Sequence, residues 1–174
     1  MDVPGGRTDA AVLIPLFVDG GELVTVFTKR RADLRRHAGE ISFPGGRPDY
    51  EGEELGLTAL REAHEEIGLP PEDVELVGAL PPVGTFVTNY KIHPFVGVIR
   101  PGHAWVPQPA EVEEVLELPL RALAAGHRMQ RLIRRGVPFR MPTYTVGEHL
   151  VWGATARIVQ HLLERLGPLL RSGD

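Results

Sequence analysis

The sequence predicts a fold of the α/β (α+β) class, in which a mixed β-sheet is sandwiched between helices. The prediction depends on the order of patterns along the chain: strands, a helix, more strands and a second helix. A length of 174 residues is sufficient for one domain, residues 1–174, with a substantial core.

The first predicted elements are two strands, residues 10–18 and 22–30, which a tight turn containing two glycines joins. A loop-like segment, residues 31–53, follows these strands. Later runs rich in strand-forming residues predict a second group of strands, which lie at residues 74–83, 91–100, 112–120 (running into a short helical stretch) and, as a hairpin, 144–152.

Two predicted helices separate and follow the strands. Apolar residues recur at helical spacing in residues 54–67 and again in residues 153–167, where a C-terminal helix is expected to pack on the sheet. Gly68 is placed to end the first helix in a left-handed conformation, and Pro70 and Pro71 prevent its continuation.

The composition excludes several kinds of protein. The chain has no cysteine, so disulfides and thiolate sites are excluded. A net charge of -4 argues against a nucleic-acid partner, although a local basic patch could hold an anionic small molecule. The longest apolar run, residues 10–18, is too short to cross a bilayer, and the polar N-terminus lacks a signal-peptide pattern. A cytoplasmic protein without a membrane partner is therefore expected, and a homodimer is left open.

Three glutamates in the first predicted helix share one side. Glu62, Glu65 and Glu66 stand at positions i, i+3 and i+4. A solvated acidic surface is the ordinary interpretation of such a pattern. However, Glu62 and Glu66 repel each other, and Gly45 and Gly46 in the preceding loop let the backbone approach a ligand closely. Carboxylate and carbonyl oxygens are the ligands that Mg²⁺ takes, so a divalent-cation site is the alternative.

The segment from Gly45 to Leu69 resembles the Nudix box. The matching positions form one loop–helix unit and are Glu53, Arg61, Glu62, Ala63, Glu65, Glu66, Gly68 and Leu69. Six residues separate Gly46 from Glu53, where the general family has five. The resemblance implies a Nudix fold and metal-dependent hydrolysis of a nucleoside diphosphate linked to another group.

The resemblance also implies roles for individual residues. The metal-binding set for Mg²⁺ or Mn²⁺ would consist of Gly46, Glu62, Glu65 and Glu66. Arg61 would form a salt bridge that orients the carboxylates, with Glu65 four residues away, and Glu53 would support a metal-bound water. Ala63 is expected to pack inward, and His64 to lie on the surface.

The general base of this family is often a glutamate from a later loop. Glu111, Glu113 and Glu114 are the candidates, and period-two alternation would place Glu111 and Glu113 on one strand face. Glu111 is preferred as the base, while a solvated strand edge is the alternative interpretation.

Residues 28–46 resemble the signature of the coenzyme A pyrophosphatases among Nudix enzymes. The matching positions are Thr28, Arg30, Leu34, Arg35, His37, Gly39, Ser42, Phe43, Pro44, Gly45 and Gly46. Residues 149–159 resemble the W-G-x-T-A stretch of that subfamily, which also tolerates the six-residue spacing. The resemblance implies cleavage of coenzyme A or its thioesters to 3′,5′-ADP and a 4′-phosphopantetheine product.

Four residues are expected to bind the coenzyme A-like nucleotide substrate: Arg30, Arg35, His37 and Phe43. Arginine suits phosphate because its forked donors match the phosphate oxygens. The alternatives are a solvated basic loop for the arginines, loop packing for Phe43 and Pro44, and a core and helix-start role for Trp152 with Thr155 and Arg157. Other hypotheses are a Nudix hydrolase of ADP-ribose or NADH and a non-catalytic nucleotide sensor, although a sensor has no need of all the box glutamates.

Overall fold

The computed structural model describes residues 7–33, 39–85 and 89–171. Its helices are α1 (Leu55–Ile67), α2 (Leu120–Ala125) and α3 (Gly153–Arg171), with one 3-10 turn at Pro71–Asp73. Its strands are β1 (Thr8–Asp19), β2 (Glu22–Arg30), β3 (Ile41–Ser42), β4 (Gly45–Gly46), β5 (Glu75–Ala79), β6 (Val83–Gly84), β7 (Tyr90–Val98), β8 (Val112–Pro119), β9 (His127–Arg134), β10 (Val137–Val146) and β11 (His149–Val151).

The main sheet is mixed, as predicted. Its central path runs β3-β2-β1-β7-β5, and β4, β6 and β8 pair with β1, β7 and β2. The pairing of β1 with β7 is parallel, while β1 with β2 and β2 with β8 are antiparallel. Strands β11, β10 and β9 form a second, antiparallel sheet.

Helices cover both faces of the main sheet. The α1 side is an apolar cluster that includes Ala59, Ala63 and Ile67 of the helix and Ala11, Leu13, Phe17, Val24 and Val26 of the sheet. The opposite cluster contains residues of α2 and α3, packed with alternate residues of β1 such as Val12 and Ile14. The alternation along β1 therefore supplies both cores, and the predicted sandwich is confirmed.

Helix α1 ends where the sequence predicts. Gly68 has a φ of 72°, and its N–H donates to the carbonyl oxygens of Ala63 and His64. This left-handed cap needs glycine, because a Cβ is unfavourable at positive φ. Ala63 is fully buried and His64 is exposed, so both predictions are confirmed.

Two parts of the architecture differ from the predictions. The loop-like segment contains β3 and β4, and the Gly45–Gly46 pair lies beside Val12 and Ala11 of β1. The hairpin of β9 and β10 was not predicted, whereas the expected hairpin at 144–152 is present as β10 and β11. No helix within residues 7–33, 39–85 and 89–171 has the length and apolarity needed to cross a membrane.

Candidate active site

Arg61 organises the carboxylates around the first turns of α1. Its guanidinium lies 3.0 Å from Glu53 Oε1, 3.1 Å from Glu62 Oε1 and 3.3 Å from Glu65 Oε1. A further contact of 3.2 Å joins Arg61 Nε to Asp49. The predicted pairing with Glu65 is confirmed, but it is one of several, and this Glu65 carboxylate is more than half exposed. Arg61 thus offsets part of the negative charge on the acidic side of the helix and orients its carboxylates.

Glu53 is held by donors from the loop and the helix together. It accepts hydrogen bonds from Arg61 and, at 2.6 Å, from the Thr58 hydroxyl. Because these donors favour the ionised form, Arg61 above all, they lower the pKa of Glu53 to about 2. Glu53 is therefore a fixed carboxylate at the entrance of α1, and its direct contacts are with Arg61, Thr58 and the Asp49 amide.

The pKa of Glu66 is shifted in the opposite direction from the pKa of Glu53. Burial raises its pKa to about 8, and the nearby charges of Glu62 and Glu111 add to the rise. The backbone N–H of Gly45 and the charge of Arg30 act in the other direction, with smaller effects. Burial likewise raises the pKa of Glu62, against the influence of Arg61. The carboxylates of Glu62, Glu66 and Glu111 thus repel one another in a part of the protein from which water is partly excluded.

Glu111 approaches Glu62 and Glu66 from a loop that is hydrogen-bonded to the C-terminal end of α1. The Gln108 N–H donates to the Glu66 carbonyl at 2.8 Å, and the Val106 N–H donates to the Ile67 carbonyl at 3.0 Å. The Glu111 N–H in turn donates to the Gln108 carbonyl at 3.1 Å. These backbone bonds bring the carboxylate of Glu111 into electrostatic range of Glu62 and Glu66.

The predicted alternation of Glu111 with Glu113 is wrong. Glu111 precedes β8, and the register between β2 and β8 shifts between Lys29 and Arg30. The shift leaves Glu113 as the additional residue of a bulge, which redirects its side chain. Glu113 lies instead in a cleft beside Arg31.

The donor set suits a divalent cation in charge and chemistry. Glu62, Glu66 and Glu111 supply hard oxygen atoms, and their mutual repulsion is relieved by a cation. The lack of a side chain at Gly46 leaves room for the Glu62 carboxylate, since a Cβ there would lie 2.7 Å from Glu62 Cδ. Across the described ranges, no three histidine or acidic side chains already converge at ligand distance. Arg61 contacts Oε1 of Glu62, so coordination through Oε2 is compatible with that contact.

A cavity of about 280 Å³ opens on the other side of the glycine pair. Its lining includes Arg30, Ser42, Phe43, Gly45 and Gly46. The Phe43 ring also stacks on Phe27 with centroids 4.5 Å apart and is only 2% exposed. Phe43 therefore belongs to the wall of the cavity and to the core at once.

Residues from the start of α3 complete the same cavity. Ala154 and Thr155 line it, and Arg157 donates to the carbonyl of Gly84 at 3.3 Å. Trp152 is 51% exposed, so the interpretation that placed it in the core is wrong, while buried Thr155 fits the helix-start role. The cavity thus joins two stretches that lie more than 100 residues apart.

Two of the predicted substrate-binding residues, Arg35 and His37, lie outside the described residues. Sequence reasoning missed the bonds of Glu53 with Arg61 and Thr58. The spacing of eight residues between Glu53 and Arg61 carries no helical signal, because Glu53 precedes the helix. The hydroxyl of Thr58, five residues after Glu53, was an available but weak signal.

The comparisons with known proteins agree with this fold. A family model described as the NUDIX domain matches residues 7–136, and the chain belongs to the Nudix family of hydrolases. The Citrobacter koseri protein named "Uncharacterized Nudix hydrolase NudL" is 41% identical over 163 residues, covering 92% of this chain and 84% of that protein. An Enterobacter protein of the same name is 40% identical over the same coverage.

Solved structures show the same fold at low sequence identity. The NUDIX domain of Shewanella oneidensis NrtR, solved with ADP ribose, has a TM-score of 0.60 at 15% identity, covering 93% of this chain and 90% of that chain. The Nudix hydrolase RenU of M. smegmatis has a TM-score of 0.58 at 23% identity, covering 70% and 76%.

Proposed function

We propose that the protein hydrolyses the diphosphate bond of coenzyme A or its thioesters, giving 3′,5′-ADP and a 4′-phosphopantetheine product. One observation carries the proposal: residues of both signature stretches, 28–46 and 149–159, line a single cavity next to Gly46. A substrate that spans this cavity and the acidic cluster would present its diphosphate at Glu62 and Glu66.

The acidic side of α1 is proposed to hold Mg²⁺ or Mn²⁺ through Glu62 and Glu66, with Glu65 and the Gly46 carbonyl in support. Such ions neutralise a diphosphate and lower the pKa of bound water. Arg61 keeps Glu53 ionised and orients both Glu53 and Glu62, since it bonds them directly.

Glu111 is the proposed general base. It lies within electrostatic range of both metal-binding glutamates, on a loop rather than on the helix. An ionised carboxylate there would accept the proton of the attacking water as the diphosphate bond breaks. Arg30 lies at the cavity wall and in range of Glu66, where its charge would attract the phosphate groups.

ADP-ribose is the second candidate substrate, because the structurally similar NrtR domain was solved with ADP ribose. A fold shared at 15% identity supports a nucleotide substrate in general, whereas the cavity lining supports coenzyme A in particular.

The test is a substrate panel. The protein is incubated with Mg²⁺ and, separately, coenzyme A, acetyl-coenzyme A, ADP-ribose and NADH, and products are separated by chromatography. We expect 3′,5′-ADP from the coenzyme A substrates, with Glu66→Gln as the inactive control and exposed Arg131→Ala as the matched surface control. Cleavage of ADP-ribose with coenzyme A untouched would overturn the proposal, and no cleavage of any nucleotide would favour a sensor.

A further inference from the structure

The loop that carries Glu111 is hydrogen-bonded to the end of α1 on one side and borders a cleft on the other. It ends before β8, and a cleft of about 600 Å³ lies beside it, lined by Pro107, Pro109 and Val112 among others. Backbone hydrogen bonds hold the loop to the end of α1 at Val106 and Gln108, and the cleft lies beside the stretch that follows. A loop with few packed contacts opens easily unless hydrogen bonds restrain it.

Arg31 supplies such bonds from the end of β2. Its backbone N–H donates to the Glu111 carbonyl at 3.1 Å, and its Nη1 donates to the Pro109 carbonyl at 2.8 Å. The backbone bond to Glu111 does not depend on the side chain, so the guanidinium itself restrains the loop at Pro109, two residues before Glu111. The bulged residue Glu113 of β8 lies opposite Lys29 and Arg30, immediately before Arg31 and close to the end of the β2–β8 pairing.

Asp33 fixes the Arg31 guanidinium in that position. Its two carboxylate oxygens accept from Nε at 2.9 Å and from Nη2 at 2.6 Å. This paired geometry restricts the planar guanidinium and leaves Nη1 directed at Pro109. Both side chains are substantially exposed, so the pair contributes little to global stability.

We propose that Arg31, anchored by Asp33, is a positioning residue that holds Glu111 at the reacting centre. This inference rests on the proposed function, in which Glu111 is the base. Among the contacts of the described residues, Arg31 has none with the glutamates of α1. It acts by limiting where the Glu111 carboxylate can be.

The test is a double-mutant cycle measured by steady-state kinetics. Arg31→Ala should lower kcat by roughly 10–100-fold, the size of effect expected from a misplacement of about 1 Å, with KM within about twofold. Glu111→Gln should lower kcat at least as much. Adding Arg31→Ala to Glu111→Gln should then cause little further loss, because there is no longer a base to position. Asp33→Asn should give a smaller loss, and Arg131→Ala none.

A second readout does not depend on turnover. Amide hydrogen exchange at Glu111 and Val112, whose N–H groups donate to Gln108, should accelerate at least about tenfold in Arg31→Ala with an unchanged Tm. Unchanged exchange, unchanged kcat, or losses that simply multiply with those of Glu111→Gln would each overturn the positioning role. If Glu111→Gln lowers kcat but Arg31→Ala does not, the positioning role alone fails. If the wild type leaves coenzyme A untouched, the proposed function fails, and the exchange experiment still tests the restraint of the loop by Arg31.

Discussion

Helix α1 and the β9–β10 hairpin handle concentrated charge in contrasting ways. In α1, Arg61 bonds several carboxylates at once, and the remaining repulsion falls on half-buried Glu66. From Leu118 to Gly147 the sequence has six arginines and no acidic residue, and in the hairpin Arg131 lies directly opposite Arg140. Charge repulsion is concentrated and buried in the first region and left to solvent in the second. Substitutions that relieve charge repulsion should therefore change the activity when they lie in α1 and have almost no effect when they lie in the hairpin.

The largest effect that this contrast predicts is the loss of activity in Glu66→Gln. The substitution removes a proposed ligand charge but preserves the size of the side chain, so the fold should be retained. Turnover should fall by more than the roughly 10–100-fold that loss of an outer-shell partner of a metal costs. Measured kcat, together with circular dichroism as the folding control, provides the check. A wild-type rate would remove Glu66 from the metal site.

Gly46→Ala tests the same region by adding a methyl group without changing any charge. A Cβ at Gly46 would lie 2.7 Å from Glu62 Cδ, so the carboxylate must move. The obstacle is the end of a flexible side chain, so we expect kcat to fall about tenfold or more with little change in Tm. Gly78→Ala is the matched control, since Gly78 also lies in a strand and has nothing within 4 Å of its added Cβ. Equal kcat values for the two variants would contradict the prediction.

The stability of the metal-free protein should depend on pH through Glu66. Its folded pKa of about 8 exceeds the ordinary value of 4.5, so the folded state retains a proton that the unfolded state loses between these values. The contribution to the free energy of unfolding is complete below pH 4.5 and is lost as pH rises towards 8. The expected slope is at most about 1.4 kcal/mol per pH unit.

Urea unfolding in a chelator from pH 4.5 to 9 measures this dependence. Glu66→Gln should show a flatter profile and should be more stable than the wild type at pH 8. Adding Mg²⁺ should restore the stability of the wild type but not add to that of the variant. Identical slopes for the two proteins would show that the pKa of Glu66 is not raised in the folded state.

The predictability of the two regions differs for a physical reason. The acidic side of α1 and its end at Gly68 follow from local spacing, which the sequence displays directly. The turn between β9 and β10 is formed by Arg135 and Gly136, both at positive φ. Asparagine, aspartate or glycine is the usual residue at the first of these positions. Because arginine occupies it here, the sequence does not indicate a turn.

The position of Glu111 illustrates what periodicity misses in the site itself. Alternation along a regular strand would pair it with Glu113, but the bulge opposite β2 breaks the alternation. The approach of Glu111 to Glu66 depends on backbone bonds from residues 106 and 108 to the end of α1. Such bonds link distant segments without requiring a particular residue type, so the sequence carries no mark of them.

The smallest expected effect belongs to the hairpin, where Arg131→Thr removes one member of the opposed pair. Like charges directly opposite each other in antiparallel strands are unfavourable, and threonine suits a strand. The free energy of unfolding should stay equal or rise by about 0.2–1 kcal/mol. The gain should shrink at high salt, because both side chains are exposed. Urea unfolding at two salt concentrations and kcat for the preferred nucleotide provide the check. A fall in kcat, or a loss of stability, would show that the arginines of the hairpin make functional or stabilising interactions, as the carboxylates of α1 do.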